Sequence, residues 1–91
     1  MYKKAQRKGF WRFNYKPARK PKQVMLAGEF SLWQPVAMRR QKDGSYACSV
    51  NLKAGSYQYK FIVDGQWTAD PDHHERVDNP FGTDNSLACC S

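Results

Sequence analysis

An all-β fold of about seven short antiparallel strands is what this 91-residue sequence predicts. Three observations carry that expectation. Turn signals recur every eight to twelve residues, bounding short alternating or aromatic and β-branched runs. No segment shows the 3.6-residue apolar period of a substantial helix. The run Tyr57-Gln58-Tyr59-Lys60-Phe61-Ile62-Val63-Asp64-Gly65-Gln66-Trp67 has the form of a β-hairpin, with Asp64-Gly65 as its two-residue loop. In one domain of this length, such strands imply an immunoglobulin-like β-sandwich.

Taken in order, residues 1–9 form a flexible, basic N-terminal tail, and residues 10–90 the single domain. Phe10 to Tyr15 alternates, with Trp11, Phe13 and Tyr15 on one face, and makes a first strand. Pro17 and Pro21 make Lys16 to Lys22 a loop, because proline removes a ladder donor. Gln23 to Ala27 is the second strand, and Gly28 to Pro35 an irregular connection. Val36 to Gln41 is a third strand, and Tyr46 to Leu52, after the Lys42–Ser45 turn, a fourth. In the hairpin, Val63 pairs with Gln66 and Ile62 with Trp67. Lys60 and Ile62 therefore share a face with Trp67, while Tyr57, Tyr59, Phe61 and Val63 face the core. Asp70 to Gly82 is a long polar loop without periodicity, and Asn85 to Cys89 closes a sheet.

The net charge is +7, but residues 1–22 hold nine of the fifteen Lys and Arg and no acid. The remainder sums to −2 (six basic, eight acidic). Two accounts of the basic arm are open: attraction to nucleic acid or another anionic surface, or a solubilising tail and edge strand. Aromatics make up 14% of the chain, enough for a core or for a stacking surface. No apolar run approaches the ~20 residues that span a bilayer, and no secretory signal is recognisable. Cys48, Cys89 and Cys90 are odd in number, and neighbouring Cys89 and Cys90 are poor staples. That usage favours a reducing, cytoplasmic setting, with Cys48 an inert core thiol.

Three segments, in order, are similar to those of carbohydrate-binding module family 48. Gly28-Glu29-Phe30-Ser31-Leu32-Trp33 matches its G-x-F-x-x-W segment. Tyr57 to Trp67, followed by Asp70-Pro71, matches its hairpin. Asn79-Pro80-Phe81-Gly82-Thr83-Asp84-Asn85-Ser86 resembles its closing G-x-x-N loop. The likeness covers about residues 10–90. The family includes the glycogen-binding domain of the AMP-activated protein kinase β subunit and the isoamylase-type N-terminal domains of branching and debranching enzymes. The resemblance implies a non-catalytic sandwich that needs no cofactor or metal and binds α-1,4-glucan: glycogen, starch, maltooligosaccharides or cyclodextrin. It implies Trp33 and Trp67 as aromatic platforms, Lys60 and Asn85 as partners of sugar hydroxyls, and Gly82 and Thr83 as shapers of the closing loop. Phe81 stands where the kinase domain has a leucine that threads against the sugars. Glu29 stands where serine is common, and no function attaches to it. A glycogen-metabolising enzyme or a kinase-like subunit is the expected partner protein.

The residues support the same chemistry physically. An α-1,4-linked glucose has an apolar C–H face, which a flat ring removes from water, and a rim of hydroxyls that need directional partners when desolvated. Lysine offers three donors, and asparagine both donors and an acceptor. A curved glucan needs platforms set at an angle. Each residue also has a plainer account. Trp33 can plug the core, Lys60 can be a solvated strand residue, and Asn85 a turn residue. Asp70, Asp72, His73, His74 and Glu75 contain metal-ligand types, but adjacent histidines rarely converge, so a solvated loop is expected. No nucleophile with a positioned base is recognisable, so an enzyme is not expected. An immunoglobulin-like protein-interaction module is the alternative function. Nucleic-acid binding through the arm and Phe10, Trp11, Phe13 and Tyr15 would instead show steep salt dependence. Glucan binding is expected to survive removal of residues 1–9.

Overall fold

Strand β7, Gly55–Val63, is nine residues long and organises the molecule. In the computed structural model, which describes residues 2–17, 20–71, 75–78 and 84–90, nine other strands assemble around it or opposite it. They are β1 (Tyr2–Lys4), β2 (Phe10–Tyr15), β3 (Val24–Gly28), β4 (Val36–Ala37), β5 (Arg39–Arg40), β6 (Tyr46–Asn51), β8 (Gln66–Thr68), β9 (Arg76–Asp78) and β10 (Asp84–Cys90). One sheet runs β1-β2-β6-β5. The other runs β4-β3-β7-β10-β9, with β8 also on β7. All the pairings are antiparallel, as expected of a sandwich.

The hairpin takes the expected register, Val63 opposite Gln66 and Ile62 opposite Trp67. Asp64 and Gly65 both have positive φ, 49° and 85°, the geometry of the two-residue turn whose twist matches the strands it joins. Asp64 serves a second purpose that the turn alone does not require. Its Oδ1 accepts the backbone N–H groups of Lys22 and Gln23, each at 2.9 Å, and so ties the β2–β3 loop to the hairpin tip.

The core is largely aromatic, which accounts for most of the rich aromatic content. Phe13, Tyr59 and Phe61 are fully buried. Phe13 meets Tyr59 edge-on at 5.0 Å, and Tyr15 meets Phe61 at 5.0 Å. Val24 and Leu26 fill the space beside them. Trp11, Phe13 and Tyr15 face inward from β2 as the alternation predicts, and Tyr46, Cys48 and Val50 face them from β6. Burial pushes the Cys48 thiol pKa up, which disfavours its thiolate, and the side chain packs against the core.

Four expectations are corrected. Residues 2–4 are not a loose tail: they pair with Trp11 to Phe13. The Tyr2 ring lies 5.9 to 6.2 Å from those of Trp11, Phe13 and Tyr59, and its Oη accepts the Cys89 N–H at 2.9 Å. Tyr2 thereby closes the sandwich between β1 and β10. The proposed third strand, Val36 to Gln41, is split: β4 pairs with β3, β5 pairs with β6, and buried Met38 makes the crossing between sheets. Arg76–Asp78, expected within a loop, forms β9 on the outer edge of β10. Asp70, expected in a solvated loop, is fully buried.

Candidate functional site

Along one edge of β7 the neighbour changes partway. Phe61 to Val63 pair with β8, whereas Gly55 to Tyr59 pair with β10. Lys60 falls between the two, at the seam where the chain leaves after β8 and returns at β10. On β7's other edge Lys60 is paired with Ala27. A seam in a sheet leaves backbone and space to be covered, and this chain covers it differently on its two faces.

The core side is closed by a buried polar cluster. Tyr59 Oη donates to Asp70 Oδ2 at 2.7 Å, and the Asp70 N–H donates to Ser86 Oγ at 2.7 Å. Arg76 Nη2 donates to the Asp70 carbonyl at 3.1 Å. Tyr59, Asp70 and Ser86 are all fully buried. Burial and the hydrogen bond to Asp70 push the Tyr59 phenol pKa far up. This cluster fixes the Asp70 end of the connection between β8 and β9.

The outer side carries the polar residues singled out from the sequence. Alternation puts Gln58, Lys60 and Ile62 there, with Trp67 beside Ile62. Asn85 lies one residue beyond the Ser86–Tyr59 pair and donates through Nδ2 to Gln58 Oε1 at 3.0 Å. Lys60 is 7% exposed and Asn85 8%, whereas Trp67 is 50% exposed. Lysine and asparagine thus form an enclosed polar floor next to a protruding indole. Gln58, which orients Asn85, was not singled out from the sequence; its place on the Lys60 side of β7 was the available signal.

Trp33 reaches this face from a tightly held loop. After β3, Glu29–Ser31 forms one 3-10 turn; Ser31 Oγ accepts the Gly28 N–H, and its one proton lies within reach of the carbonyls of Gln34 at 2.9 Å and Gly28 at 3.1 Å. The Trp33 N–H donates to the Gly28 carbonyl at 2.8 Å. Leu32 and Trp33 are both left-handed, with φ of 53° and 61°, a conformation costing about 1 kcal/mol or more per non-glycine residue. Glu29 has a use after all: its Oε1 accepts the Gln58 N–H at 2.6 Å, where β3 has ended. Phe30, not Trp33, fills the core, packing on Phe13 at 5.4 Å. Trp33 is half-buried instead, and its ring meets that of Trp67 at 6.4 Å with 49° between planes. Gly28 is needed for the close approach, since a Cβ there would lie 2.6 Å from the Phe30 ring and 2.8 Å from the Gln58 carbonyl oxygen.

The structure therefore brings Trp33, Lys60, Trp67 and Asn85 onto one face. Phe81, Gly82 and Thr83 lie outside the described residues, as do Asp72, His73 and His74. Asp78 and Asp84 face each other across β9 and β10, and their mutual hydrogen bond and like charge raise the Asp78 carboxyl pKa. Among the described residues, no three His, Cys, Asp or Glu side chains are grouped to hold a metal. Cys89 is exposed and Cys90 buried, and burial, with Cys89 beside it, pushes the Cys90 thiol pKa up.

The family described as the glycogen recognition site of AMP-activated protein kinase matches residues 12–89. The chain belongs to that family. Its members are carbohydrate-binding modules, non-catalytic domains. Over 66 residues the chain is 38% identical to the 5'-AMP-activated protein kinase subunit beta-1 of Sus scrofa, covering 72% of this chain and 52% of that sequence. The Rattus norvegicus protein matches at the same identity, with 24% of its length covered. Protein PTST homolog 2, chloroplastic, of Arabidopsis thaliana is 42% identical over 50 residues, 54% of this chain and 9% of that one. The chain thus spans about half or less of these relatives. A maltogenic amylase from S. marinus superposes over 100% of the chain and 16% of its own, with a TM-score of 0.77 and 24% identity, a likeness of fold.

Proposed function

We propose that this domain binds α-1,4-linked glucan, of the glycogen or starch kind, against the face formed by Trp33, Lys60, Trp67 and Asn85. The observation that carries the reading is the pair of indoles at 6.4 Å and 49°, one of them half exposed. Rings set at that angle suit a curved chain of sugars, each ring covering the C–H face of a glucosyl unit. Lys60 and Asn85 supply donors and an acceptor for hydroxyls beside the rings. Phe81, Gly82 and Thr83 belong to the same proposed site by motif. Short maltooligosaccharides and β-cyclodextrin are then sufficient ligands. Membership of a glycogen-recognition family supports the substrate class.

The role we assign is tethering. A partner, either a glycogen-metabolising enzyme or a kinase-like subunit, would be held on polysaccharide. A protein-interaction role has its own support in the opposite sheet, whose strands carry Lys3, Lys4, Arg12, Arg39 and Arg40 and no acid. That surface suits an acidic partner and leaves the tryptophan face clear. Three free thiols are in keeping with a reducing, cytoplasmic setting.

The test is a titration with maltoheptaose or β-cyclodextrin, followed by chemical shifts and tryptophan fluorescence at low and moderate salt. Saturable changes at Trp33, Lys60 and Trp67 that ignore salt are expected, because the ligand is neutral. Trp67→Ala removes about 100 Å² of exposed apolar surface, roughly 2–3 kcal/mol gross and less in net affinity. Binding should weaken at least about tenfold, with the fold intact. Full binding by a folded Trp67→Ala variant would sink the assignment.

A further inference from the structure

Leu32 is the large side chain that the fold itself does not explain. It is 84% exposed, and among the described residues the exposed large hydrophobics are Leu32 and Trp67. Both adjoin Trp33, Leu32 through the chain and Trp67 through the ring contact. Leu32 also occupies a left-handed position, φ 53° and ψ 36°, where glycine or asparagine would be at ease. Leucine there strains the backbone and exposes apolar surface to water, and it is not part of the core. The loop that displays it is closed by hydrogen bonds: Leu32 N–H donates to the Glu29 carbonyl at 3.3 Å, and its neighbours are held through Gly28 and Ser31.

We infer that Leu32 is a third apolar contact for the glucan, extending the platform of Trp33 and Trp67 by one sugar and favouring ligands long enough to reach it. The inference rests on the glucan reading above. An α-glucan presents successive C–H faces along its length, and an aliphatic side chain removes such a face from water as an indole does, though over less area. A left-handed pair that projects adjacent residues from a fixed loop holds Leu32 and Trp33 in one arrangement before ligand arrives, which lowers the ordering cost of binding.

The test compares Leu32→Asn, Leu32→Met and Trp67→Ala in the full chain, by calorimetric titration with maltoheptaose. Asparagine is the better left-handed residue, so Leu32→Asn keeps or improves the loop while deleting the contact. Its melting temperature should be unchanged or higher, and its affinity weaker by about three- to tenfold. Leu32→Met keeps an apolar, flexible side chain and should bind within about twofold of the parent. Leu32→Asn binding as tightly as the parent would overturn the inference while Trp67→Ala still loses binding. Equal weakening by Leu32→Met and Leu32→Asn would overturn it too, since apolar character would then not be what counts. If the parent chain does not bind, or Trp67→Ala binds unchanged, the glucan reading itself fails and takes this inference with it.

Discussion

Replacing Tyr59 by phenylalanine deletes one oxygen from the seam of the larger sheet, and its cost should depend on pH in a defined direction. Tyr59 and Asp70 are fully buried and joined at 2.7 Å. Removing the phenol hydroxyl leaves Asp70 Oδ2 without that donor, at a cost of about 1.5–3 kcal/mol for a hydrogen bond to a charged group. In a domain of this size that corresponds to a fall in melting temperature of roughly 6–24 °C. The phenol pKa in the folded chain lies above its ordinary value of 10.0, raised by burial and then by Asp70. Its stabilising contribution is therefore complete below about pH 10. Above that, the unfolded chain releases the proton while the folded chain keeps it, and stability falls by about 1.4 kcal/mol per pH unit. Tyr59→Phe lacks this slope. A deficit of about 2 kcal/mol at pH 8 should thus vanish about 1.5 units above pH 10. Cys48 and Cys90, also raised, are common to both proteins and cancel in the difference. Urea unfolding with a reductant, at intervals between pH 8 and 11.5, measures the deficit. A difference that is the same at both ends, or smaller than about 0.5 kcal/mol at pH 8, would refute the argument.

Three further outcomes follow from the packing. Gly28→Ala would force a methyl group against the Phe30 ring and the Gln58 carbonyl. It should cost about 1–3 kcal/mol and, by displacing the loop that carries Trp33, weaken maltoheptaose binding as well; thermal melts and titration of the same variant check both. Tyr2→Ala removes a ring packed on Trp11, Phe13 and Tyr59 together with the Cys89 hydrogen bond. A loss of about 2–4 kcal/mol is expected in urea unfolding, with glucan affinity little changed, since Tyr2 lies on the core side of the sheets. Deleting residues 1–9 should therefore destabilise the domain, which the sequence reading had not foreseen.

What the sequence determined by itself is whatever depends on neighbours close in the chain. The hairpin register follows from Asp64-Gly65 and strand alternation, because a two-residue turn and a period of two leave one solution. The inward face of β2 was legible for the same reason, and so was the placing of Lys60 beside Trp67. Trp33 was left with two accounts, core plug or platform. The choice was made by the 3-10 turn and the left-handed pair, which send Phe30 inward and Trp33 out to Trp67. Other features needed the whole molecule. Residues 2–4 look like a charged tail because Lys3 and Lys4 dominate the local composition; Tyr2 belongs to the fold through residues up to 87 positions away. The run around Met38 shows one continuous pattern, yet it changes sheets, since its partners β3 and β6 lie on opposite layers. Asp70 reads as a loop acid, but the phenol that donates to its carboxylate comes from β7 and the hydroxyl that accepts its backbone N–H from β10, brought together at the seam. Short-range stereochemistry laid down the strands and the candidate platform residues. Long-range pairing decided which of them face each other, and that decision is what assembles the two indoles on the same face as a lysine and an asparagine.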